Sequence, residues 1–359
     1  MFAALVVANG WKVCTFFGRS DWRRFDGKAG HLTDEKLRVD ATALWLVEAH
    51  RAALQDEQLQ APHPGEVVVE SAFGAISRGT ESLVAAGKVP ESEWGRMRAP
   101  FQEGAFPFPV KYGYGTVGRI VAGDKARVGE GVFCLFPHQD RFVVPGNMAV
   151  PIPADVSLER AVLAANMETA LNVVWDAEVL PGDKVAVIGG GVVGLLVASI
   201  AACIPGTQTI VVDVNGDRAG AVHALGAAFA SPADLPLECD VVIHTSASEA
   251  GLVSAVAAAG FEARIVEASW YGANAPAVPL GGAFHSRRLK LIGSQVGHVP
   301  AARSVRWGLR RRMETALRLL ADERFDVLFS GETRFVELAS EYASILADPS
   351  TLCHRIRYA

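Results

Sequence analysis

The sequence predicts an α/β protein in two parts, a compact β-rich domain and a doubly wound parallel sheet. Three observations lead there. Short apolar runs separated by Gly and Pro turns fill the first half. From about Leu158, apolar runs alternate with helical patterns. One of those later runs ends directly in Gly189-Gly190-Gly191-Val192-Val193-Gly194. Close strands with turn residues read as a β domain, and strands alternating with helices read as βαβ units.

The elements follow in order. Residues 1–40 are irregular, carry the charged cluster Arg19 to Lys28, and read as an N-terminal extension. Ala43 to Val47 reads as a strand, and Gly65 to Glu70 as a second after the turn at Pro62 to Pro64. Val110 to Val121 and Val132 to Val144 are further β stretches. Leu158 to Val174 reads as a helix. Strands are expected at Lys184–Ile188, Thr209–Asp213, Asp240–His244, Ala263–Ala268 and Leu289–Gly293. Helices are expected at Val192–Ile204, Arg218–Leu225 and Leu252–Ala259. A helix over Ser304–Ala321 and a strand near Arg355–Tyr358 close the chain. The expected division is 41–166 with 297–359 for the β-rich domain and 167–296 for the parallel sheet.

Composition narrows the function classes. Half of the 359 residues are hydrophobic and 20% are charged, which favours a buried core over disorder. A net charge of -5 gives no general attraction to nucleic acid or an anionic membrane, and neither is expected as a partner. No apolar run reaches the roughly 18 to 20 residues of a membrane helix. The apolar start Met1 to Ala8 has no basic residue before it, so it is not read as a signal peptide. Five scattered cysteines without CxxC spacing suggest neither a zinc ribbon nor a disulfide framework, and fit a reducing cytoplasm.

The glycine turn carries the first functional reading. Gly189, Gly191 and Gly194 follow an expected strand and open an expected helix, which is the context a dinucleotide fingerprint requires. Gly189 serves the tight turn, Gly191 lets a phosphate approach the main chain, and Gly194 lets the helix pack on the strand. Val192 and Val193 put the free N–H groups of the helix start beside the pyrophosphate. Asp213, about 20 residues on, suits the ribose hydroxyls and repels a 2′-phosphate, so NAD is expected ahead of NADP.

The layout resembles the medium-chain dehydrogenase/reductase superfamily, in which a GroES-like β domain surrounds a Rossmann domain. The likeness runs from about Ala41 to Tyr358. It rests on Pro64 to Val69, Gly113 to Gly118, Pro181 to Val185, the glycine turn and Gly293-Ser294. Zinc-dependent members place a Cys where this chain has Ser77, a Gly-His-Glu where it has Gly113-Tyr114-Gly115, and a Cys or Glu where it has Ala165. The four-cysteine structural lobe is absent too. No metal site is therefore expected. Ile76-Ser77-Arg78-Gly79-Thr80-Glu81 resembles the zinc-less branch of bacteriochlorophyllide 3-hydroxyethyl dehydrogenases.

Without zinc, a hydrogen-bond donor must stabilise charge developing on oxygen. The resemblance makes Tyr114 the first candidate, as an acid or as an aromatic filler of the emptied site. Ser77 is a weaker donor or a polar remnant. Glu168 is a base or a satisfied structural carboxylate. Glu81 anchors its loop by accepting backbone N–H groups. By the same resemblance, Arg78 and Arg355 reach the pyrophosphate, Thr169 packs by the nicotinamide, and Arg218 touches the adenosine ribose. Ser246 lies on the adenine side, and Ser269, Trp270, Ser294 and Gln295 lie near the nicotinamide. His138 and His298 read as solvated loop residues, with a proton relay as the other reading of His138. Arg303, Arg306, Arg310, Arg311, Arg312 and Arg318 read as a solvated helix face. Together these imply a zinc-independent NAD(H)-dependent oxidoreductase for an alcohol/carbonyl pair. Reduction of an enone or quinone is the alternative, as is a cofactor-binding protein without turnover. A homodimer is expected by resemblance.

Overall fold

The structure is a computed structural model that describes residues 39–358. The expected extension over 1–40 lies outside the described residues except for its last two, which already belong to the first strand, Val39–Glu48.

Six parallel strands form the dinucleotide-type sheet. Across the sheet they run Ala228–Ala230, Gln208–Val212, Lys184–Ile188, Cys239–His244, Ala259–Glu267 and Lys290–Gly293. Numbered along the chain this is order 3-2-1-4-5-6, the Rossmann arrangement with its switch point at the central strand. The central strands read as continuous apolar runs because both faces are covered: Val185, Ala186, Val187, Val241, Val242 and Ile243 have no exposed surface. Helix Val192–Ala202 packs on this sheet and against helix Ala164–Ala177, buried through Leu195, Leu196, Val197 and Ala198.

The β-rich lobe holds a seven-stranded sheet. Its longest strand, Glu66–Ile76, pairs with Thr116–Ala122, with Arg141–Pro145 and with Cys353–Arg357. The end of the chain thus closes a sheet begun before the parallel one. A second sheet pairs Val39–Glu48 with Arg51–Leu59 and with Val110–Lys111. Among the described residues no helix is long and apolar enough to cross a membrane.

Local reading departs from the structure in a few places. Strand Arg51–Leu59 was not expected, because Ala, Leu, Gln and Glu carry no β signal; hairpin pairing with its neighbour imposes the conformation. The helix expected over Leu158–Val174 is two, Leu158–Ala161 and Ala164–Ala177. That over Ser304–Ala321 is also two, Ala301–Ser304 and Leu309–Leu319, the second starting after Gly308 at its N-cap. Val132–Val144 divides into Gly131–Cys134 and Arg141–Pro145.

Candidate active site

The glycine turn has the geometry of a phosphate cradle. Gly189 sits at φ +116°, where a side chain is strained, and a Cβ there would lie 2.8 Å from the Ser246 amide nitrogen. A Cβ on Gly194 would lie 2.0 Å from the Gly189 carbonyl oxygen. Around Gly191 the space is open. Gly191 caps helix Val192–Ala202, whose first internal bond is Leu195 N–H to Gly191 O. The amides of Val192, Val193 and Gly194 precede that bond and so have no acceptor within the helix.

Asp213 follows the neighbouring strand and closes on the turn. Its Oδ2 accepts from the Gly190 amide at 2.5 Å and its Oδ1 from the Asn215 amide at 2.7 Å. Arg218 packs against the same turn, its Cγ 3.5 Å from where a Gly190 Cβ would be, and donates to the carbonyls of Pro349 and Ser350. Arg78 acts electrostatically on Arg218 and on Asp348, and its Nε donates to Leu346 O at 3.1 Å. Ser246 and Ser269 lie after adjacent strands. Ser269 Oγ accepts from the Ala247 amide, so the two loops are joined. The turn, Asp213, Arg218, Ser246 and Ser269 therefore share the carboxyl edge of the sheet. Thr169 Oγ1 donates to Ala165 O, and Ser294 Oγ donates to Asp176. Arg355 is engaged elsewhere: it pairs with Glu332 and lies over Phe73 and Phe329, and none of its hydrogen bonds or ion pairs involves the turn.

A second cluster forms where Ser77 begins helix Arg78–Ala85. Glu81 is fully buried and accepts three bonds: from the Ser77 amide (2.7 Å), His138 Nε2 (2.9 Å) and Tyr342 Oη (2.6 Å). Burial opposes its charge, but the neighbouring His138 and these bonds bring its carboxyl below the usual range. Of the three donors, only the Ser77 amide is a backbone N–H of the kind expected for Glu81; the other two are side chains. His138 corrects the surface reading, since it has no exposed surface. Its ring lies on Gly113, where a Cβ would be 2.9 Å from three ring atoms. Tyr114 packs against both large cores, edge-on to Tyr112, with the Ser77 and Thr80 hydroxyls beside its own.

Glu168 is held by Arg312, Nε to Oε1 at 3.0 Å, and both are buried. Arg312 also donates to Asn172 Oδ1 and to the carbonyls of Val296 and His298. It therefore leaves the solvated face to which its neighbours belong. Sequence reasoning also missed a polar chain at the sheet edge: Ser246 Oγ to His244 Nε2 (2.6 Å), His244 Nδ1 to Glu267 (2.7 Å), and Tyr271 Oη to Glu267 (3.2 Å). The signal for His138 was its setting between Leu135-Phe136 and Phe142; nothing local pointed to the others.

No family model matches the chain. Among curated proteins it is 29% identical over 212 residues to 2-desacetyl-2-hydroxyethyl bacteriochlorophyllide A dehydrogenase of Cereibacter sphaeroides, covering 54% of this chain and 62% of that one. It is 26% identical over 299 residues to D-guloside 3-dehydrogenase of Escherichia coli K12, covering 75% and 85%. Of the first two relatives, the chain spans 62% of the length of each. A solved alcohol dehydrogenase from Escherichia coli CFT073, complexed with NADH, superposes with a TM-score of 0.71 at 17% identity, over 89% of this chain and 99% of that one. In sequence the chain is similar to dehydrogenases of the medium-chain dehydrogenase/reductase, alcohol-dehydrogenase-like type, and it has the fold of solved alcohol dehydrogenases. The likeness to the bacteriochlorophyllide dehydrogenase is the one the Ile76-to-Glu81 segment had suggested.

Proposed function

We propose that the chain is a zinc-independent, NAD(H)-dependent oxidoreductase interconverting a secondary alcohol and a ketone or aldehyde. The observation that carries this is a formed dinucleotide turn, combined with hydroxyl groups, Ser77 and Tyr114, where the resemblance leads one to expect metal ligands. The donor set does not suit zinc: a serine hydroxyl, a phenol, and Ala165, which offers nothing. Glu81 and His138 are bonded to each other instead. Among the described residues no group of three or more His, Cys, Asp or Glu is placed to hold a metal.

The turn amides and Gly191 would hold the pyrophosphate, and Asp213 the ribose hydroxyls. Bound there, a reduced nicotinamide supplies hydride. The preference for NAD is supported by how firmly Asp213 is held, by two amides, and by Arg218 being committed to Pro349 and Ser350. A 2′-phosphate would meet a fixed carboxylate and no free guanidinium of Arg218. The exposed edge strand Lys290–Gly293 supports a homodimer.

The test is NADH and NADPH affinity by fluorescence, then NADH oxidation with a panel of ketones, enones and quinones. NADH should bind at least about tenfold more tightly than NADPH, and Asp213→Ser should narrow the gap. Tighter NADPH binding by the wild type would refute the ribose assignment. Binding without oxidation by any substrate would favour a protein that keeps the cofactor and lacks turnover.

A further inference from the structure

Strands Cys239–His244 and Ala259–Glu267 run parallel, and their register sets the last residues, His244 and Glu267, side by side at the carboxyl edge of the sheet. Ser246 follows two residues after His244 and meets its ring. The three are joined end to end, Ser246 Oγ to His244 Nε2 at 2.6 Å and His244 Nδ1 to Glu267 Oε2 at 2.7 Å. The carboxylate sets the direction. Glu267 accepts from the Ser269 amide and from Tyr271 Oη. A carboxylate only accepts, so Nδ1 of His244 carries the proton that faces it. Nε2 of the neutral ring is then an acceptor, and the Ser246 hydroxyl donates to it. A Cβ on Gly251 would lie 2.2 Å from Ser246 Oγ and 2.6 Å from His244 Nε2, so the bare glycine makes the room in which the two meet. His244 has no exposed surface, whereas Ser246 is only half-buried. Ser248 Oγ, 2.8 Å from Ser246 Oγ, accepts from the Gly251 amide and caps helix Glu249–Ala258. The first helical bond runs from Leu252 N–H to Ser248 O. The amides of Glu249 and Ala250 precede it and have no acceptor within the helix.

We propose that Ser246, His244 and Glu267 form a nucleophilic site that hydrolyses small uncharged carboxylic esters. A hydroxyl bonded to a base, with the base oriented by a third group, is the arrangement that activates a serine. In the step, Ser246 Oγ forms a bond to the ester carbonyl carbon while its proton passes to His244 Nε2. The carbonyl π pair moves onto oxygen, and the amides at the start of helix Glu249–Ala258 are the donors available to that oxyanion. When the carbonyl re-forms, the bond to the alcohol oxygen breaks and the alcohol leaves with the proton from His244. Water then cleaves the acyl group from Ser246 by the same route, giving the acid and the free serine. Glu267 keeps its charge throughout and holds the ring in the tautomer the step needs. Glu249 and Glu267 belong to the same group of loops, so an uncharged ester fits better than an anionic one.

The experiment treats the full chain, free of nucleotide, with phenylmethanesulfonyl fluoride and follows p-nitrophenyl acetate hydrolysis alongside. Mass spectrometry of the intact chain and of its peptides should find one adduct, on Ser246, formed with loss of fluoride. Ester hydrolysis should exceed the buffer rate and should disappear both in the labelled protein and in Ser246→Ala. His244→Gln should slow labelling and hydrolysis by at least about tenfold, the lower end of what a lost general base costs being nearer a hundredfold. No adduct on the wild type, or an adduct on another residue, overturns the proposal. Hydrolysis that survives Ser246→Ala overturns it as well, as does a labelled Ser246 in a protein that turns over no ester. If His244→Gln does not fold, the wild type and Ser246→Ala decide between them.

Discussion

Replacing Arg312 with Met removes a charge from the interior while keeping most of the apolar stem. Arg312 is 1% exposed and Glu168 7%. The guanidinium satisfies four acceptors: Glu168, Asn172 Oδ1, Val296 O and His298 O. Breaking a buried pair from one side costs about 3–5 kcal/mol, because the partner is left charged and unpaired. At about 2–4 °C per kcal/mol the melting temperature should fall by roughly 6–20 °C. The loss should depend on pH. Burial already raises the Glu168 carboxyl, against the pull of Arg312, and without Arg312 it rises further. A raised carboxyl is comfortable when protonated, so its contribution is intact below the unfolded value of 4.5 and is lost as pH rises through the folded value. Arg312→Met should therefore lose more stability at pH ~8 than at pH ~5. Glu168→Leu added to Arg312→Met should recover much of the loss. Urea unfolding followed by circular dichroism at the two pH values is the assay. A loss under about 1 kcal/mol, or one that does not change with pH, would refute the reasoning.

Other outcomes follow from the same geometry. Gly194→Ala puts a Cβ 2.0 Å from Gly189 O and should abolish NADH binding or folding, whereas Gly191→Ala meets open space and should leave melting unchanged while weakening NADH fluorescence titrations. Gly113→Ala combines φ +119° with a Cβ 2.9 Å from the His138 ring and should cost about 1–3 kcal/mol or more in urea unfolding. Glu81 lies below its unfolded value of 4.5, so its contribution is present above that pH and is lost as pH falls through the lower folded value. Glu81→Gln should accordingly flatten the acid limb of stability against pH.

The parallel sheet was legible because its signals are local. Buried strands such as Lys184–Ile188 are continuous apolar runs, and Gly189 and Gly194 mark backbone positions that only glycine fits. The hairpin strand Arg51–Leu59 was not, since cross-strand pairing rather than composition makes it a strand. In the site, the family resemblance is what suggested Ser77 and Tyr114 at positions where metal ligands are expected. What holds Glu81 was invisible, because His138 and Tyr342 lie 57 and 261 residues from it. His138 also shows how a loop histidine is misjudged: polarity argued for solvent, while the absent side chain of Gly113 had made room for a buried ring.

Three buried polar clusters share a placement that stability alone does not explain, since apolar replacements of buried ion pairs are often no less stable. Glu81 fastens the Ser77 amide, next to Arg78 and Tyr114. Arg312 fastens the carbonyls of Val296 and His298, just past Ser294, and holds Glu168 beside Thr169. His244 and Glu267 fasten Ser246 Oγ and the Ser269 amide. Each cluster therefore immobilises backbone adjoining a residue expected to meet cofactor or substrate. A dehydrogenase with a metal can fix its reacting oxygen through coordination bonds. If this chain works without one, that precision has to come from the protein, and hydrogen bonds with fixed directions supply it where apolar packing does not. Disturbing a cluster should then lower turnover more than cofactor affinity, because hydride transfer depends on alignment within about half an ångström, whereas phosphate binding at the turn does not.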